Sequence, residues 1–344
     1  MSSPPAAESV PDSTTPPQRS VAGRIAGYPL VTILIGFVLF LVVLQAIVFG
    51  NLTRLFMLVV GAPLPPPEDT GLPADPDALA AYGYGQLVSA VIVVPIAMWV
   101  YRQIIVKWCE GRSSVPELAV TPHAKKWIGV GALISAAVIV VALVAVVVGG
   151  GAITSAPNNL LLAGLASAVG ISLFAGVVEE LFARGTLFRI SEQHVGSLVA
   201  LLLTAVIFGA QHADNPSATV ASTLAVALEG GIMLAAVYMV ARTLWAVFAV
   251  HFVWNFGQSV LGLPVSGNET IGALKWQLVG PEWLTGGVFG IEVSGVALAV
   301  WTIVAVVLLV VAARQGRWQT WGTAREAVRS GAGNQPVGMA ATSA

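Results

Sequence analysis

Charge is what this chain has least of. Only 10% of its 344 residues are Asp, Glu, Lys or Arg, against 56% hydrophobic, where soluble domains average about a quarter charged. So few polar groups cannot cover a folded surface in water, which excludes a water-soluble enzyme. The 16 basic and 17 acidic residues leave a net charge of −1, so nothing electrostatic favours a nucleic-acid partner. A single cysteine, Cys109, excludes an internal disulfide and every multi-cysteine metal site. Neither a Gly-x-Ser-x-Gly elbow nor a His-Glu-x-x-His pair occurs, which disfavours serine nucleophiles and the common zinc-protease motif.

Long apolar runs dominate instead, and mean hydropathy is +0.85. They do not alternate, so an outer-membrane barrel is excluded. The sequence predicts an all-α polytopic membrane protein of about eight transmembrane helices. The runs lie at 28–50, 86–106, 127–149, 159–188, 197–212, 218–241, 243–261 and 291–313. The fifth is short, and the sixth is interrupted by Glu229 and the pair Gly230-Gly231.

Charge placement tests that count. With both termini cytoplasmic, 14 of the 16 Lys and Arg residues fall at inner ends, and only Arg54 and Lys275 lie outside. Glu68, Asp69, Asp75, Asp77, Asp214, Glu269 and Glu282 occupy the outer loops. This is the positive-inside bias of short membrane loops. Residues 1–20 and 330–344 read as disordered tails, and 62–77 as a proline-stiffened spacer. The remaining division is 21–157 for helices one to three, 158–260 for a core of helices four to seven, 261–290 for an outer loop, 291–313 for the last span and 314–344 for a cytoplasmic tail.

Ionisable groups at bilayer depth are expensive, at least about 2.5–3.5 kcal/mol each on insertion scales. Those that need a reason are Glu179, Glu180, Arg184, His212, Glu229, His251 and, as a polar companion, Asn255. Glu180 and Arg184 are one turn apart and can pair, whereas Glu179 points about 100° away and stays free. His251 and Asn255 share one helix face. Taken singly, each histidine reads as a helix–helix contact. Two histidines and an unpaired carboxylate from three spans weaken that reading. Counted from the inner edge, Glu179, His251 and Asn255 lie about 15, 14 and 20 Å deep, and His212 about 24 Å. The expectation is one pocket in the cytoplasmic half of the membrane. Glu229 reads as protonated or bonded across helices, with a cavity role as the alternative; Trp276 and Trp283 read as interfacial anchors, and the basic loop 102–126 as a topology signal, with docking of a lipidated substrate's headgroup region as the alternative.

The order Glu-Glu-x3-Arg (Glu179, Glu180, Arg184), Phe-x3-His (Phe208, His212) and His-x3-Asn (His251, Asn255), with Leu244-Trp245-Ala246 ahead of the last motif, resembles the CPBP family of intramembrane proteases. That family includes type 2 CAAX prenyl proteases and bacterial bacteriocin-processing and self-immunity proteins. The resemblance spans about residues 158–260. It implies an intramembrane endopeptidase in which Glu179 and His212 activate water and His251 and Asn255 stabilise the oxyanion. Glu180 and Arg184 would support them. It implies either no cofactor or a divalent metal such as zinc held by Glu179, His212 and His251, with the metal-free mechanism preferred. The implied partners are the bilayer and a membrane-presented peptide or protein, with or without a lipid tail, and the implied location is a bacterial plasma membrane. Two other classes compete. A non-catalytic scaffold or bacteriocin-immunity protein would keep its function without Glu179, and a proton-coupled transporter would show pH-driven flux with no peptide product.

Overall fold

The computed structural model describes residues 21–64 and 71–330. The predicted tails, 1–20 and 331–344, and residues 65–70 of the proline-rich segment lie outside the described residues. Long apolar stretches form helices because no water is available to satisfy an open backbone. In chain order these are α1 Pro29–Val59, α2 Pro76–Glu110, α3 Pro122–Val148 and α4 Leu161–Val195. They continue as α5 Ser197–Ala210, α6 Val220–Ala241, α7 Leu244–Leu261 and α8 Gly295–Arg314. Seven are long and apolar enough to cross a membrane. The exception is α5, with 14 residues, about 21 Å at 1.5 Å per residue and short of the roughly 30 Å hydrocarbon core. The protein is an all-α polytopic integral membrane protein.

Local chemistry sets the boundaries. Asp75 accepts a hydrogen bond from the Ala78 amide (2.8 Å) with Pro76 in the first turn, and Thr121 does the same for Ala124 (3.1 Å) ahead of Pro122. Gly196, at φ +84°, makes the sharp break between α4 and α5. Several helices run longer than the hydropathy runs predict; α2 and α4 each extend to 35 residues. The loop 261–290 is more structured than expected. Strand β1, Ala152–Ser155, pairs antiparallel with β2, Trp276–Val279, tying the loop after α3 to the one before α8.

Helix α4 is the buried centre, flanked by α2 and α7. A side chain at Gly170 would strike the α2 backbone at Gln86 and Leu87, so the two helices cross at glycine contact. On its other side, Phe252 of α7 passes Gly176 closely. This places the second half of α4, with Glu179 and Glu180, against α7 with His251 and Asn255.

One end of the bundle is closed by paired charges. Glu110 at the end of α2 binds both Arg112 and Arg189. Glu117, in the loop before α3, binds Arg112, and the Tyr101 hydroxyl lies 2.8 Å from it. Beside them, Glu192 accepts from Arg242 (2.5 Å) and from the Ser197 hydroxyl (2.8 Å), while Arg242 also reaches the Arg317 carbonyl (3.0 Å). Arg242 holds a left-handed backbone, φ +51°, at the joint between α6 and α7. The loop 102–126 is therefore more than a topology signal, because Arg112 folds inward onto two carboxylates.

Candidate active site

A cavity of about 770 Å³ opens among α1, α2, α4, α7 and the turn after α5. Glu179, His212, His251 and Asn255 all line it. Glu179 is 7% exposed, and its Oε2 is buried with no protein hydrogen-bond partner. His251 and Asn255 project into the same space from one face of α7, as their four-residue spacing requires. His212 lies in the turn beyond Ala210, where α5 has already ended.

Further walls are loops rather than helices. They come from Gly71 and Leu72, from Asn215, Pro216 and Ser217, and from Pro264 through Ile271. All belong to loops that the charge pattern put outside, so the cavity reaches the surface at the end opposite the paired charges. Residues 71–72 of the presumed spacer are part of that wall.

Glu180 carries more than the predicted ion pair. Its Oε1 accepts from Arg184 Nη1 (2.8 Å) and lies 2.9 Å from His251 Nδ1. Arg184 also donates to the Gly231 carbonyl (3.1 Å). Both groups of this pair are fully buried. The Phe208 ring sits between the helices: the Arg184 guanidinium lies 4.9 Å from its centre, His212 stacks on it at 4.9 Å, and His251 meets it edge-on at 6.2 Å. Gly230 of α6 leaves room for that ring, which a Cβ there would overlap.

Hydrogen-bond partners fix the histidine tautomers. The Phe208 carbonyl, 2.8 Å from His212 Nδ1, can only accept, so Nδ1 carries the proton and Nε2 of a neutral ring offers its lone pair. Likewise an ionised Glu180 beside Arg184 requires a proton on His251 Nδ1. Among the described residues, no three His, Cys, Asp or Glu side chains are placed to hold a metal ion. Glu179, His212 and His251 share a cavity without forming a ligand set, so no step is routed through zinc.

A second, small chamber of about 40 Å³ lies behind the first, lined by His212, Glu229, His251, Asn255, Ser266 and Glu292 among others. Glu229 is buried with Oε1 unpartnered by protein; it faces this chamber and does not bond across helices through that atom. Glu292 accepts from Ser266 Oγ (2.8 Å) and Gln258 Nε2 (3.2 Å). Sequence reasoning passed over Glu292, although a carboxylate at the mouth of an apolar run was the available signal. Trp283 is 63% exposed, as an interfacial anchor would be, whereas Trp276 is half-buried in β2.

Residues 157–257 match the type II CAAX prenyl endopeptidase Rce1-like family. That match supports membership of the CPBP family. No curated protein and no solved structure matches it. The Rce1-like segment includes Glu179, Glu180, Arg184, Phe208, His212, His251 and Asn255, while Ser266 and Glu292 lie beyond it. The match supports a CAAX-type intramembrane endopeptidase at the level of the family.

Proposed function

We propose that this protein hydrolyses a peptide bond inside the membrane with water activated by Glu179 and His212, the oxyanion being held by His251 and Asn255. The observation that carries this reading is the convergence of those four side chains, from three parts of the chain, on one polar-lined cavity. Glu179 takes a proton as the water oxygen bonds to the substrate carbonyl carbon. The His212 Nε2 lone pair orients that water. The carbonyl oxygen becomes an oxyanion, which the Asn255 amide and the His251 Nε2–H stabilise. The C–N bond then breaks as that proton passes from Glu179 to the departing nitrogen, leaving a carboxylic acid and an amine, and the acid's proton transfers to the amine on release.

His251 can donate from Nε2 only as an imidazolium, because Nδ1–H is already given to Glu180. Glu180 acts as a positioning residue, holding the His251 ring and supplying its countercharge. The test compares the membrane proteome of cells expressing wild type and Glu179→Gln. A peptide trimmed only by the wild type supports hydrolysis, and identical proteomes with normal folding of both proteins count against it.

A further inference from the structure

The side from which substrate enters is written in the contrast between the two ends of the bundle. One end is sealed by Glu110, Glu117 and Glu192 in contact with Arg112, Arg189 and Arg242. The other is where the cavity emerges, walled by the loops at 71–72, 215–217 and 264–271. Nearly all Lys and Arg residues belong to the sealed end, and the loops of the open end carry Asp75, Asp77, Asp214, Glu269 and Glu282 against only Arg54 and Lys275 among the described residues. Lysine and arginine in short loops remain on the cytoplasmic side. The sealed end is therefore the cytoplasmic one.

We infer that the cavity takes its peptide from the side of the membrane away from the cytoplasm, so that the substrate is an exported or membrane-anchored polypeptide segment presented there. This deepens the hydrolase reading and rests on it for the word substrate, while the direction of access stands on the fold together with the placement of Lys and Arg. The lining adds a constraint on what enters. Among the described residues it contains two carboxylates, Glu179 and Glu269, two histidines and many neutral polar groups, but no lysine or arginine. A free C-terminal carboxylate would find no strong cation there, whereas an internal peptide segment needs none. The preferred occupant is thus the interior of a chain, cut as an endopeptidase cuts it.

The test separates access from chemistry. In a Cys109→Ser background, single cysteines are placed at the mouth (Glu269→Cys) and in the exposed helix after α8 (Arg325→Cys), and intact bacterial cells are treated with a membrane-impermeant maleimide. The expected result is labelling of the mouth cysteine in intact cells, with the other labelled only after permeabilisation. The reverse pattern overturns the inference and leaves the hydrolase reading untouched. A second arm adds an impermeant quenched-fluorescent peptide library to right-side-out and inverted vesicles. Cleavage by right-side-out vesicles, absent with Glu179→Gln, supports the inference, and cleavage confined to inverted vesicles overturns it. Expected labelling with no cleavage from either side supports the access route and counts against hydrolysis.

Discussion

The two ends of this bundle handle buried charge in opposite ways. At the sealed end Glu110, Glu117 and Glu192 each have an arginine, and Glu117 touches Arg112 with Arg189 and Tyr101 close by. At the open end Glu179 has a buried oxygen with no protein partner, and both histidines turn an unclaimed nitrogen away from their fixed Nδ1 contacts. Burial is similar, since Glu117 is 2% and Glu179 7% exposed. What differs is satisfaction. Paired ions hold helices in place, and polar groups without protein partners facing a cavity are available for chemistry.

Glu180 belongs to both classes, so its removal should have the largest effect. Glu180→Ala strands Arg184 in the core and frees His251. A loss of about 3–5 kcal/mol of stability is expected, together with near-complete loss of hydrolysis. Thermal unfolding in detergent and peptide turnover measure the two separately. If activity per folded molecule were unchanged, His251 would not depend on Glu180. Glu179→Gln should instead lower turnover by about 10²–10⁴-fold with unaltered thermal unfolding. The mirror-image variant is Glu117→Ala. It should destabilise by about 3–5 kcal/mol while the folded fraction retains wild-type turnover, and a parallel fall in both would erase the distinction between the ends.

Acid sharpens the same contrast. Burial pushes the Glu117 carboxyl up, but the charges of Arg189 and Arg112 and the Arg112 hydrogen bond outweigh it and hold the group below the usual carboxylate range. A depressed folded value means the stabilisation is complete above the unfolded glutamate value of about 4.3 and disappears as pH falls through the folded one. Unfolding followed from pH 6 downward should show this loss in the wild type and a shallower slope in Glu117→Gln. The smallest effect belongs to the mouth. Asn158 donates to the Gly272 and Ala273 carbonyls (2.9 Å each), fastening the outer loop. Asn158→Ala should cost about 1 kcal/mol, read as faster amide exchange in 262–275 with little change in global unfolding.

Much of this was legible before any coordinates. Continuous apolar runs and the Lys/Arg asymmetry point to a helical membrane bundle, because the bilayer leaves the backbone few other choices. The four-residue spacing of Glu180 with Arg184, and of His251 with Asn255, is local geometry and reads directly. The Glu180–His251 contact joins residues 71 apart in sequence, and no spacing rule reaches across helices. Arg112 looked like a loop charge because sequence does not say which loops fold back. The loops at 215–217 and 264–271 escaped notice as cavity walls for a related reason: residue spacing places side chains along a helix but does not say which loops line a cavity.

Helix α5 carries a consequence for the lipid around it. Its outward residues Leu198, Leu202 and Val206 are more than half exposed, so acyl chains must solvate a rod about 9 Å shorter than an average hydrocarbon core. Bilayers meet such a mismatch by thinning. The leaflets should draw together along this flank, bringing headgroups and water close to the turn that holds His212. A thinner host membrane would relieve that deformation, so acyl-chain length becomes a control knob on this protein that requires no ligand at all.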